Sequence, residues 1–329
     1  MERVVLPVHA NHKYGNGVRL PALMATGTYA VDPQPIGLPW RLWDEIGADE
    51  AAARGVFAPV YSVSEGPSDS VVLAPGDTRA LRFILERCDG YCCGVDGGDG
   101  PNLACAQCGQ EVGSRMDVCS FWQEVRLDPQ AVRRVAVDGP APAPADWETV
   151  LAEERLAMPS VDLTGWWGPE SDVAAGVAMA HLLVASGGAP LSFKPGPVAN
   201  LFRRAIAAWL PPGPTAKTVD LAGPGLRSLD PAPDISLVPR HPRTGEPWQP
   251  PDAGETVPLS AGLWLQLAFQ GTWLRAPATG GMPEGVLRDD PLPPYSNRPT
   301  DPNPWACHYT LARLPAVREP WLWRIYVGM

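Results

Sequence analysis

The sequence predicts an α+β protein: a mostly β N-terminal unit with an inserted cysteine-rich ribbon, then an α/β unit and a Pro/Trp-rich C-terminal region. Three observations predict it. The first 85 residues carry short alternating or β-rich runs, with Gly, Pro, Asn and Asp between them. Six of the seven cysteines fall between residues 88 and 119. From residue 159 onward, short apolar strands alternate with helical stretches, the rhythm of an α/β layer with at least partly parallel strands.

In the first unit, Arg3–Ala10, Val18–Val31, Ala58–Val63 and Val71–Leu73 read as strands. Trp40–Arg54, with acids at Asp44 and Glu45, reads as a helix. Arg79–Arg87 fits either a strand or a short helix. Gln123–Leu127 and Val132–Val137 read as strands that return to the same unit. The Pro/Ala run at residues 139–146 is the expected linker, so the expected domains are 1–138 and 147–329. Asp146 can cap a helix at Trp147–Leu156.

Beyond the linker, Ser160–Thr164 reads as a strand. Ser171 or Asp172 can cap a helix Val173–Ser186, which Gly187 and Gly188 close. A strand at Pro190–Phe193, a helix Val198–Leu210 behind Pro197, and a strand at Thr215–Ala222 complete a βαβαβ order. Val161-Asp162-Leu163-Thr164-Gly165 recurs as Val219-Asp220-Leu221-Ala222-Gly223, two similar strand ends. Further on, Ile235–Val238, Gly262–Phe269 and Leu322–Val327 are the expected ordered pieces. Trp321–Val327 reads as a final buried strand, and the proline-rich residues 276–306 as a long packed loop.

Net charge is −10, and no three basic residues are consecutive. An acidic chain has no general attraction to phosphate backbones or anionic membranes, so nucleic acid and membrane are not the expected partners. The start lacks an apolar signal region. The longest apolar stretch, Val173 to Ala185, is too short to span a bilayer. These features predict a cytoplasmic protein, where clustered cysteines bind metal rather than form disulfides.

The ribbon reads Cys88, Cys92, Cys93-Gly94, Cys105-x-x-Cys108-Gly109 and Cys119. Two thiolates in a CxxC-Gly turn can hold one ion while the intervening amides point at sulfur. A tetrahedral site needs two more ligands. Cys93, also followed by Gly, and Cys119 complete the expected set with Cys105 and Cys108, while Cys88 and Cys92 are the alternatives to Cys93. The loop Gly94–Asn102 is all turn chemistry. Four thiolates suit Zn²⁺ and favour structural zinc over an iron–sulfur cluster or a redox dithiol. The pattern resembles the broad zinc-ribbon class over about 30 residues and identifies no family. Residues 88–126 carry six acids against Arg115 and Arg126, which speaks against a phosphate-binding ribbon.

Other residues carry weaker signals. His9 and His12 sit three apart in strand and turn context, where they point to opposite faces. Asp162 and Asp220, with Thr164, can line a pocket beyond the strand ends. His181 lies on an apolar helix. Cys307-His308, Trp166-Trp167, Trp321, Trp323 and the Leu292–Tyr295 proline turn have ordinary packing explanations. No nucleotide-binding, hydrolase, zinc-protease or deaminase motif is present. The expected function is therefore that of a zinc-stabilised protein that binds a protein partner or assembles into a complex. An enzyme with a pocket at the ends of strands 161–164 and 219–222 is one alternative. A nucleic-acid-associated factor using Arg203, Arg204, Arg240 and Arg243 is another.

Overall fold

The computed structural model describes residues 1–15, 17–89, 92–135, 145–157, 168–251, 254–269 and 301–329. They form two compact units. The first comprises Met1–Pro144, Pro242–Gly245 and Tyr309–Pro320, and the second the remainder.

The first unit contains β1 (Glu2–Arg3), β2 (Thr28–Asp32), β3 (Trp40–Leu42), α1 (Trp43–Ile46), α2 (Ala48–Ala53), β4 (Ser62–Ser64) and β5 (Ser70–Leu73). It continues with β6 (Leu81–Phe83), β7 (Leu103–Cys105), β8 (Glu111–Met116) and β9 (Glu124–Leu127). Seven of these strands form one sheet in the order β1-β2-β5-β9-β8-β7-β6. All its pairings are antiparallel except β1 with β2. The cysteine-bearing strands therefore continue the main sheet instead of standing as a separate insert. β8 pairs with β9 through Gly113 and Leu127, which makes the sheet one ladder.

The expected helix Trp40–Arg54 is corrected to a strand and two short helices broken at Gly47. β3 pairs with β4, and Val63 turns inward beside Ile46, Ala51 and Val56 to make a small separate core. Among the described residues 132–135 there is no strand.

The two-residue period divides the seven-stranded sheet into two faces. Leu73, Leu103, Val112 and Val125 pack on one, with Tyr29, Val71 and Leu127 around them. Ala30 and Val72 lie on the other with Leu20, Leu23, Met24 and Trp122. Arg126 stands opposite Val72 on this second face, where burial makes pairing obligatory. Its guanidinium donates to Asp32 and Glu124, each at 2.6 Å, and to Asn11 Oδ1 at 2.8 Å. Beside them, Gln34 Oε1 accepts from Tyr309 at 3.2 Å and from Arg313 at 3.1 Å.

The second unit opens with α3 (Trp147–Ala157), α4 (Pro169–Ser186), β10 (Leu191–Phe193), α5 (Pro197–Ala207), β11 (Lys217–Leu221), β12 (Ile235–Arg240), β13 (Glu255–Ser260) and α6 (Ala261–Phe269). Two further helices follow, α7 (Pro304–Ala312) and α8 (Pro320–Gly328), of which Tyr309–Ala312 and Pro320 belong to the first unit. Asp146 caps α3, its carboxylate accepting from the Thr149 amide at 2.8 Å. α4 begins four residues earlier than expected, because Pro169 is preset for a first helical position. Twelve of the eighteen residues of α4 are buried. At Gly176 an added Cβ would lie 2.3 Å from the Asn303 carbonyl, so α7 begins against bare backbone.

Strands β10-β11-β12-β13 form a parallel sheet in sequential order. Its core includes Phe202, Ile235, Leu237 and the fully buried Trp264, whose indole donates to the Ala222 carbonyl at 3.1 Å. The expected final strand is corrected to the helix α8. Leu322, Ile325 and Tyr326, its buried side chains, follow helical spacing. Residues 139–144 of the expected linker 139–146, the strand at residues 160–164 and most of the proline-rich loop lie outside the described residues. Among the described residues no helix is long and apolar enough to cross a membrane.

Candidate metal centre

Three cysteine sulfurs converge where the β6–β7 connection meets the turn after β8. Those of Cys92, Cys93 and Cys119 all lie within 4.8 Å of one another. Cys92 and Cys119 are 3.5 Å apart, and the Cys119 amide donates to the Cys93 sulfur at 3.4 Å. Tetrahedral zinc with Zn–S bonds of about 2.3 Å requires sulfurs about 3.8 Å apart. The trio is thus close to the spacing that three corners of such a site demand.

Local backbone geometry brings the two segments together. Val95 and Asp117 exchange backbone hydrogen bonds, and an antiparallel bridge forms there. Gly94 makes this approach possible, since a Cβ on it would lie 2.0 Å from the Asp117 carbonyl oxygen. Asn102, fully buried, ties the loop's far end by accepting from the Arg115 amide at 2.7 Å and donating to its carbonyl at 3.0 Å. The Ser120 amide donates to the Val18 carbonyl at 2.7 Å, anchoring the turn that holds Cys119.

The three sulfurs are electrostatically unequal. Hydrogen bonds from the side chains of Cys93 and Cys92, then from the Gly17 amide, lower the Cys119 thiol to about 7. Cys92 is pushed up to about 11, chiefly because it donates to Cys119 and Cys93. Such an array favours one thiolate and supplies further thiols that a thiophilic cation can deprotonate on binding.

The expected four-cysteine set is divided by the structure. Cys93 and Cys119 come together, with Cys92 as their third member. Cys105 and Cys108 pair with each other at the β7–β8 turn, before β8 begins, whereas Cys119 follows its end. Six strand residues at about 3.3 Å each place roughly 20 Å of backbone between the two groups. One ion cannot span it. Cys88, the remaining thiol of the segment, donates to the Ile84 carbonyl at 3.3 Å, and burial followed by Asp89 and Glu86 raises its pKa.

His9 packs against Trp122 with ring centroids 4.4 Å apart, and His12 meets the edge of Tyr309 at 4.8 Å. Burial, then the neighbouring His12, lowers His9 to about 3. Burial, then Arg313, lowers His12 to about 4. Asp220 accepts from Lys194 at 3.0 Å and from the Leu221 amide. Asp162, Thr164, Trp166, Trp167 and residues 292–295 lie outside the described residues. Among the described strands the sequential order shows no reversal, the feature that opens a crevice in doubly wound sheets.

Burial, then Arg240, lowers the pKa of His181. Cys307 is buried, its thiol pushed up to about 12, and His308 stacks on Tyr326 at 4.1 Å. Trp323 packs near Tyr326, and Trp321 lies against Gly188. Of the arginines, Arg203 donates to the Phe193 carbonyl and Arg243 pairs with Glu2 at 3.5 Å.

The buried Asn11–Asp32–Glu124–Arg126 network is the polar centre that sequence reading missed. Glu124-Val125-Arg126 alternates like an ordinary half-exposed strand, and nothing in that run marks its charged face as the buried one. No family model matches the chain, and no curated protein or solved structure matches it either.

Proposed function

We propose that this is a zinc-stabilised partner-binding or assembly protein in which Cys92, Cys93 and Cys119 hold a structural zinc ion. The observation that carries this reading is the convergence of three sulfurs from two distant chain segments within 4.8 Å. Soft thiolate ligands select zinc over hard cations. The fourth position is open to Cys88, four residues before Cys92, or to water. Zinc held here ties the long β6–β7 connection to the end of β8 and thereby stabilises the edge of the sheet.

A partner-binding role is supported by surface chemistry in the same unit. On β3, Trp40 and Leu42 point to the same face by strand periodicity and are exposed, as is Leu38 before them. Exposed apolar side chains in one row mark an interaction surface more often than isolated ones do.

Native mass spectrometry of the reduced protein, compared with the denatured chain, tests the metal reading. One zinc per trio is expected in the native protein and none after unfolding. Separate Cys92→Ser, Cys93→Ser and Cys119→Ser variants should each lose it. Zinc retained by all three variants would refute the assignment, and iron with sulfide would replace it by redox chemistry.

A further inference from the structure

We propose that Cys105 and Cys108 form half of a second zinc site, completed by the same two residues of a second copy of this chain. The pair sits on the turn that joins β7 to β8. There the Cys105 amide donates to the Gln110 carbonyl at 2.8 Å, and the Gly109 amide donates to the Cys105 carbonyl at 2.9 Å. The Cys108 and Gln107 amides of this turn, then the Cys108 side chain, lower the pKa of the Cys105 thiol. Backbone N–H groups aimed at sulfur stabilise a thiolate, which is the form that binds metal. Cys108 is exposed and Cys105 half-buried, so both are accessible from outside.

Two thiolates fill half of a zinc tetrahedron. Among the described residues neither cysteine belongs to a group of three or more potential ligands. The neighbouring acid, Glu111, is held by Arg87 at 2.8 Å. A second copy supplies the missing half by symmetry, since a two-fold axis through the metal makes the two pairs equivalent.

Two further features suit a second copy. Cys105 pairs with Leu81 on β6, the end strand of the sheet, and the nearby Phe83 and Leu85 expose 39% and 77% of their surface. These side chains offer apolar surface along the same edge of the sheet. Arg82 also reaches it, its Nη2 lying 3.5 Å from where a Cβ on Gly109 would sit. Zn²⁺ with four thiolates carries two net negative charges. One Arg82 from each copy supplies the two compensating positive ones. This site is separate from the Cys92–Cys93–Cys119 trio and does not depend on it.

Sedimentation velocity with metal analysis, on the full reduced chain stripped of metal and then titrated with zinc, tests the proposal. The stripped protein should be monomeric. With zinc it should dimerise and carry about 1.5 ions per chain, one in each trio and one shared. Cys105→Ser/Cys108→Ser should stay monomeric with about one ion per chain. A dimer that carries about 0.5 ion per chain would retain this proposal while refuting zinc in the trio.

A monomer at saturating zinc overturns the shared site, as does a dimer that persists in the double variant. Arg82→Glu should raise the zinc needed for half-dimerisation at least several-fold, and an unchanged requirement overturns the charge-compensating role. Should the double variant fail to fold, chelator titration of the wild-type dimer decides. Dissociation as the shared ion leaves supports the site, and removal of all zinc without dissociation overturns it.

Discussion

Replacing Arg126 by methionine should strongly destabilise the first unit. The guanidinium is 8% exposed, and it faces Asp32 and Glu124, which are 1% and 3% exposed. Methionine keeps an apolar stem of similar length but leaves two buried carboxylates without their cation. Breaking a buried pair in this way costs about 3–5 kcal/mol. Glu124 adds a pH signature. Burial already holds it above the usual carboxylate range, against the attraction of Arg126. A carboxyl raised in the folded state keeps a proton that the unfolded chain has released, so folded-state stability falls as pH rises through that window. Removing Arg126 enlarges the shift, so the loss should be greater near about pH 8 than near about pH 5. Urea unfolding followed by tryptophan fluorescence gives the magnitude, and hydrogen exchange of the amides in β5 and β9 localises it to this unit. A loss below about 1 kcal/mol, or one independent of pH, would refute the reasoning. The combined Asp32→Leu/Glu124→Leu/Arg126→Met variant should be more stable than the single one, because it leaves no charge behind.

Three other perturbations follow from the geometry. His12 is lowered to about 4, mainly by burial, so the folded state binds fewer protons than the unfolded chain. Its contribution is intact above about pH 6.5 and is lost as pH falls toward 4, by up to about 3 kcal/mol; His12→Phe should lessen the fall in melting temperature over that range, and the fall that remains belongs to buried His9, lowered to about 3. Gly94→Ala should raise the zinc released to a competing chelator at least tenfold, because its Cβ collides with the Asp117 carbonyl that aligns Cys93 with Cys119. Gly176→Ala should lower stability by about 1–3 kcal/mol through the clash with Asn303, read from the urea midpoint at unchanged slope.

Sequence reading reached the mixed fold, the parallel strands around β11 and β12, and the metal-competent segment, because each rests on local signals. Strand periodicity, helix caps and clustered cysteines all act within a few residues. It failed where a long-range partner decides. Leu322–Val327 is apolar enough for a buried strand, and its helical spacing becomes decisive only once one face packs. The prominent Cys105-x-x-Cys108 turn drew Cys93 and Cys119 into a single set. Yet Glu111–Met116, between Cys108 and Cys119, forms a six-residue strand, and its extended length is enough to keep them apart. Its Gly-Ser-Arg centre carries no polar–apolar alternation, so the strand was hard to read from the sequence. The Arg126 network had no such marker, because its partners Asn11 and Asp32 lie 115 and 94 residues away.

The loop that carries Cys92 and Cys93 has little packing to hold it. Between β6 and β7 the described residues from 84 to 101 include none that is buried, so apolar packing holds little of this segment. Closing the loop between Cys92 and Cys119 has an entropic cost of about 3 kcal/mol. The Val95–Asp117 bridge and the Asn102 staple oppose that cost with a handful of hydrogen bonds, each contributing about 0.5–1.5 kcal/mol net. The balance is close to even, which does not explain why two exposed cysteines and the half-buried Cys119 should bring their sulfurs together. Structural zinc contributes on the order of 10 kcal/mol where thiolates are available. That exceeds every other contribution to ordering this loop, so the metal, rather than the packing beneath it, would fix the position of Cys93 against Cys119.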